Sequence, residues 1–172
     1  MIFWLFGKVL NYPISASYLI LGVIVGATPD ITSLVFLFRE HHKSGKWAHL
    51  HRDNITHTIF YPVITSLCMA GLSGINIAFI VFVALVSHLF LDLFGIGWGI
   101  KLFYPVSDKQ FKLFHQKGKW IYTQEEIDAE VEKYGDPNWF RNLFLKPTVT
   151  AFIEWSSLFL TAGIIIWYFF KG

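Results

Sequence analysis

The chain has 172 residues, of which 54% are hydrophobic, 19% aromatic and only 15% charged. An ordinary soluble domain is about one-quarter charged, so this deficit, with a mean hydropathy of +0.49, predicts a membrane protein forming one domain over residues 1–172. The net charge of +2 is too small to argue for nucleic acid, and a single cysteine, Cys68, excludes an internal disulfide and any cysteine-rich zinc motif.

Residues 1–10 are apolar and short, and Lys8 follows the apolar run instead of preceding it as a signal peptide requires. They read as an interfacial or packed lead-in helix. Residues 14–38 are the first stretch with the ~20 apolar residues needed to span a bilayer. Pro13 can open this helix. Thr28-Pro29-Asp30 interrupts it, because proline removes a backbone donor and kinks a helix. Asp30 therefore falls at a kink, beside freed backbone groups that inside a membrane must line a cavity or be covered by protein.

Residues 39–56 form a polar loop that holds His41, His42, His49 and His51. Residues 57–72 are a second, shorter apolar run, and Ser73-Gly74 marks a tight turn. Residues 75–94 are a third span. Near its end, His88 and Asp92 lie four residues apart and share a helix face. Gly95, Gly97 and Gly99 close it.

Residues 96–147 form a hydrophilic insert. Thr123-Gln124-Glu125-Glu126 has capping-box spacing and predicts a surface helix over 124–134, ended by Gly135 and Pro137. The rest of the insert reads as irregular. Residues 148–170 are a fourth span, with Glu154 near its start. The expected architecture is all-α: a polytopic membrane bundle of about four transmembrane helices, with a short N-terminal helix and one insert.

With four spans, the 39–56 and 96–147 loops face the same side. Together they carry all the lysines and arginines except Lys8 and Lys171. The positive-inside rule puts both loops in the cytoplasm and the chain in the inner membrane. Asp30, His57, His88, Asp92 and Glu154 then come to one level, just under the cytoplasmic face. A carboxylate at the bilayer centre costs about 2.5–3.5 kcal/mol, so such groups are functional candidates. Histidine nitrogen and aspartate oxygen suit zinc first, and also manganese or iron. A metal held with an open position activates water for hydrolysis.

Each residue also has a plainer reading. A histidine at a helix end often serves as a hydrogen-bonding strut, and Glu154 can snorkel to the interface. It is the shared depth that favours a metal site. His41, His42 and His49 read as solvated. The 109–119 stretch, which includes His115, alternates basic and aromatic residues and reads as a solvated loop lying on anionic headgroups. A non-catalytic protein that binds or conducts a metal ion or proton is the alternative from another class. It predicts ionisable groups on both sides of the membrane, whereas the sequence places them on one.

The residues Pro29-Asp30-Ile31, His51-Arg52-Asp53-Asn54-Ile55-Thr56-His57-Thr58, His88-Leu89-Phe90-Leu91-Asp92 and Tyr104-Pro105-Val106-Ser107 resemble, in order and spacing, the motifs of the YdjM-type family. Its members are inner-membrane proteins described as membrane-bound metal-dependent hydrolases. The resemblance covers residues 22–107. It implies a metal set of Asp30, His51, His57, His88 and Asp92, with Arg52 as a nearby anion binder suited to bidentate phosphate contact.

The family's helical His/Asp site is similar to those of zinc-dependent phospholipase C and P1-type nucleases. By that analogy the resemblance implies a phosphoester substrate, a phospholipid or lipid-linked molecule drawn from the bilayer. Asp53 is a candidate general base, and Glu154 a candidate additional ligand. The chain departs from the pattern at Thr32, where the family often has a second acid. It departs again at Asp53 and Thr58, where the family often has glycine and serine.

Overall fold

The computed structural model describes residues 15–31, 52–94, 97–113, 118–138 and 141–171. Helix α1 (Ala16–Gly26) starts at Ser15, whose hydroxyl oxygen accepts from the Tyr18 backbone N–H at 3.2 Å. That bond satisfies one of the donors a helix leaves open in its first turn. The helix stops just before Pro29. Thr28–Asp30 then forms one 3-10 turn, with Asp30 N–H donating to the Ala27 carbonyl at 3.2 Å. The break at the proline turns the chain, and Asp30 stands at the bend.

After a second 3-10 turn, Ile55–His57, come α2 (Phe60–Ser73) and α3 (Ile75–Phe94). Gly74 alone joins them at φ +87°, a left-handed conformation that side chains disfavour. The two helices pack as a hairpin. Leu19 of α1 buries against Ile80 and Val83 of α3, and Ile164, Ile165 and Tyr168 of the last helix, α5 (Val149–Lys171), close over this core. Gly26 lets α1 approach α3 closely, because a Cβ there would sit 3.7 Å from the Ala84 carbonyl oxygen.

The chain is mostly helical, as its long apolar runs predict. Among the described residues two helices, α3 and α5, are long and apolar enough to cross a membrane. Helix α2 has 14 residues and rises about 21 Å, less than the ~30 Å hydrocarbon core. The first expected span continues beyond residue 31, outside the described residues. Much of α5 is exposed, including Phe152, Phe159, Trp167 and Phe170. A bilayer solvates such a face and water does not.

The insert has more order than its sequence promises. Strands β1 (Gln110–Phe111) and β2 (Ile121–Tyr122) pair antiparallel, with Gln110 opposite Tyr122. Ile100 bridges to Phe111 on the other edge. Gly99 permits that approach, since a Cβ there would lie 3.0 Å from both Gln110 Cβ and the Phe111 carbonyl oxygen.

Helix α4 (Gln124–Tyr134) carries the full capping box between Thr123 and Glu126. It buries Ile127 and Val131 against Tyr122, with Trp98 alongside. Two backbone bonds tie the insert to the helical body. Ile59 N–H donates to the Leu102 carbonyl, and Leu113 N–H to the Leu93 carbonyl, each at 2.9 Å.

Candidate metal centre

Three segments converge where α1 ends, α2 begins and α3 finishes. The Ile55–His57 turn is capped by Asn54, whose Oδ1 accepts from Thr56 N–H at 2.9 Å. The Thr56 hydroxyl touches the same Oδ1 and lies 3.2 Å from the Pro29 carbonyl. Tyr61 donates its hydroxyl to Thr28 Oγ1 at 3.3 Å. The turn bearing His57 is thereby stitched to the turn bearing Asp30.

Thr56 also sets the imidazole. Its Oγ1 is 3.2 Å from His57 Nδ1. A proton on Nδ1 that donates to this oxygen leaves Nε2 as a lone-pair donor. His57 Nε2 stands 3.4 Å from Asp30 Oδ1 and 3.6 Å from Asp92 Oδ2. His88 Nε2 stands 3.2 Å from Asp92 Oδ2 and 3.6 Å from Asp30 Oδ1.

Asp30 and Asp92 thus each face both imidazoles. Asp30, His57 and His88 each offer a donor atom within 4.8 Å of the others. Donors on adjacent positions about one ion, with bonds of 2.0–2.1 Å, stand roughly 2.9–3.4 Å apart for octahedral to tetrahedral angles. The observed contacts lie at or just beyond that range.

The donor set fits a cation on its own chemistry. His88 Nε2 and Asp92 Oδ2 are buried and make no hydrogen bond. Buried polar atoms are nearly always satisfied, and imidazole nitrogens facing carboxylate oxygens are satisfied by a positive charge between them, a ring proton or a bound cation. Two carboxylates also balance one dication. The His57 side chain is 0% exposed, His88 14% and Asp92 11%, whereas Asp30 is 49% exposed. The centre therefore opens on the Asp30 side.

The remaining expected residues are distributed unevenly. Arg52 Nη2 lies 3.0 Å from Asp92 Oδ1, and Nη1 donates to the Trp98 carbonyl at 3.4 Å. Gly97, at φ +103°, closes over this guanidinium, and a Cβ there would meet Nη1 at 3.2 Å. Asp53 pairs with Lys101 at 3.0 Å. Glu154 is exposed on α5, and no described contact joins it to the cluster. His51, Thr32, His41, His42, His49 and His115 lie outside the described residues, as do residues 1–10.

Sequence reasoning missed three contributors. Thr56 and Asn54 build the His57 turn, and the Asn-Ile-Thr spacing is a local turn signal that could have shown it. Lys112, read within a solvated basic stretch, is buried instead, with its Nζ donating to the Asp92 carbonyl at 2.9 Å. Burial pushes its pKa down to about 8, and the Arg52 charge pushes the same way, while Asp92 opposes them. The period-two pattern Gln110-Phe111-Lys112 was a usable signal, since Gln110 and Lys112 are both buried and Phe111 less so.

A family model described as YdjM inner membrane protein matches residues 2–170. No curated protein and no solved structure matches the chain.

Proposed function

The chain belongs to the YdjM inner membrane protein family, and from that membership we propose that it is a membrane-bound metal-dependent hydrolase acting on a phosphoester. The metal ligands in this reading are Asp30, His57, His88 and Asp92, with His51 as a further candidate. The ion is divalent, zinc first. One observation carries the reading: imidazole nitrogens and carboxylate oxygens from three segments face one another at 3.2–3.6 Å, and two of these buried atoms have no hydrogen-bond partner.

A divalent ion there supplies Lewis-acid chemistry, polarising a phosphoryl oxygen and lowering the pKa of water toward about 7. The chain's own groups do the rest. Asp30, half exposed at the open side, is placed to accept a proton from arriving water. Asp53, the other candidate base, is drawn away from that role by its pairing with Lys101. Arg52 holds positive charge against the centre, which favours an anionic substrate and stabilises the charge that develops on it.

A substrate from the bilayer, a phospholipid or a lipid-linked phosphoester, reaches this level without leaving the membrane. The excess of basic residues in residues 39–56 and 96–147 puts the centre at the cytoplasmic face. The rival reading of an ion or proton conduit finds no support along α3. Between Ile75 and Ser87 that helix carries no acid, base or histidine.

The test is elemental analysis of detergent-purified protein, wild type beside the double variant His88→Ala, Asp92→Ala. Wild type should hold stoichiometric divalent metal and the variant should lose it. Metal-free wild type after growth and purification without chelators defeats the proposal. If metal is present, phosphoester lipids are assayed for hydrolysis, and activity should vanish with chelator and return with zinc.

A further inference from the structure

Lys112 is 3% exposed, whereas Lys109 and Lys119 of the same stretch face solvent. A buried ammonium is costly unless its donors are used. Here Nζ donates to the Asp92 carbonyl at 2.9 Å, and the next residue's N–H donates to the Leu93 carbonyl at 2.9 Å. Two consecutive residues of the insert are thus fastened to two consecutive residues in the last turn of α3. The last carbonyls of a helix lack intrahelical donors, and a cation there is favoured by the helix dipole.

The same aspartate is held at its other end. Arg52 takes Oδ1 at 3.0 Å. Its remaining oxygen, Oδ2, is buried, makes no hydrogen bond and faces both imidazoles. With the backbone pinned by Lys112 and one oxygen taken by Arg52, Asp92 can present only one oxygen to the cluster.

We propose that Lys112, reaching in from the insert, is a positioning residue for the metal centre. Together with Arg52 it fixes Asp92 as a one-oxygen ligand. The proposal rests on the metal reading of the cluster and adds a role for the insert.

The insert touches the other walls as well. Trp98 supplies the carbonyl that Arg52 uses, and Leu102 the carbonyl that Ile59 uses, two residues after His57. Metal binding at the cluster and docking of the insert are therefore linked, and linkage is reciprocal. A lysine that merely caps α3 has no such consequence for metal affinity.

The experiment uses full-length protein in detergent: wild type, Lys112→Met, Lys112→Arg, and Lys109→Met as an exposed neighbour. Zinc affinity is measured by competition with a chromogenic chelator, and the cobalt-substituted proteins are compared by visible absorption. Lys112→Met keeps an unbranched side chain one atom shorter and removes charge and donors. It should weaken zinc binding by about 10–100-fold, the usual effect of losing a group that orients a ligand, and alter the cobalt spectrum. Lys112→Arg should recover part of the affinity, and Lys109→Met should leave it unchanged.

Wild-type affinity and an unaltered cobalt spectrum in Lys112→Met overturn the proposal while leaving the metal centre standing. Wild type that binds no zinc overturns both. If Lys112→Met fails to fold, hydrogen exchange on wild type decides. Added zinc should slow exchange of the peptide covering 110–113 more than that of α4, and equal effects on the two overturn the proposal.

Discussion

Replacing Thr56 with valine tests whether the two turns act as one unit. Valine has nearly the shape of threonine but no hydroxyl. In wild type that hydroxyl lies 3.2 Å from the Pro29 carbonyl and 3.2 Å from His57 Nδ1, and it also touches Asn54. Losing one such bond costs about 0.5–1.5 kcal/mol, and depriving a buried polar atom of its partner costs about 1–3 kcal/mol. His57 is fully buried, so the second figure applies to its Nδ1. The expected loss for the metal-free protein is about 2 kcal/mol, or roughly 4–8 °C in thermal midpoint for a chain of this size.

The metal effect should be larger in proportion. Thr56 selects the tautomer that leaves Nε2 as donor, and loss of such an orienting partner weakens metal binding by about 10–100-fold. Circular dichroism melts in detergent with chelator give the first quantity, and chelator competition gives the second. Thr56→Ser keeps the hydroxyl and should retain most of both. Valine and serine variants that melt and bind zinc like wild type would refute the orienting role of Thr56, and with it the derivation of the His57 tautomer.

Gly97→Ala puts a Cβ 3.2 Å from Arg52 Nη1 at φ +103°; backbone strain of about 1–3 kcal/mol is expected, together with weaker metal binding as Arg52 shifts off Asp92, and an unchanged melt and affinity would contradict this. Thr123→Ala removes the cap of α4 and should cost about 1 kcal/mol, seen as faster hydrogen exchange in α4 with little change in metal affinity. Lys112 yields a pH signature. Its folded pKa of about 8 lies below the ordinary 10.5, so between those values the unfolded chain binds more protons and stability rises with pH. The slope is at most about 1.4 kcal/mol per pH unit. Unfolding of metal-free protein from pH 8 to 10 should show this rise in wild type and not in Lys112→Met.

The features legible in the sequence are those written within a few residues. Pro29 ends a helix because it lacks an N–H and its ring blocks the preceding turn, and the structure breaks there. The capping box at Thr123 and Glu126 encloses its own helix start. The β1–β2 hairpin was not legible. Its strands are two residues each, too short for an alternation to stand out, and they depend on Ile100 and α4 for cover. The four-span count came from hydropathy alone, while the shortness of the second apolar run and its stop at Ser73-Gly74 were legible, and α2 ends there. Gly74 and the turn at His57 cut it to 14 residues.

At the candidate centre the division is the same. The sequence by itself determined that His88 and Asp92 share a face, since four residues along an α-helix return to one side, and that Asp30 stands at a break. Only tertiary structure brought His57 against Asp30 across 27 positions, Arg52 against the Trp98 carbonyl across 46, and Lys112 onto the Asp92 backbone across 20. Those contacts depend on how α1, α3 and the insert pack, and packing is decided by the joint burial of many apolar side chains. That is also why Lys112, one of several lysines in a basic stretch, could be told from its neighbours only once the chain was folded.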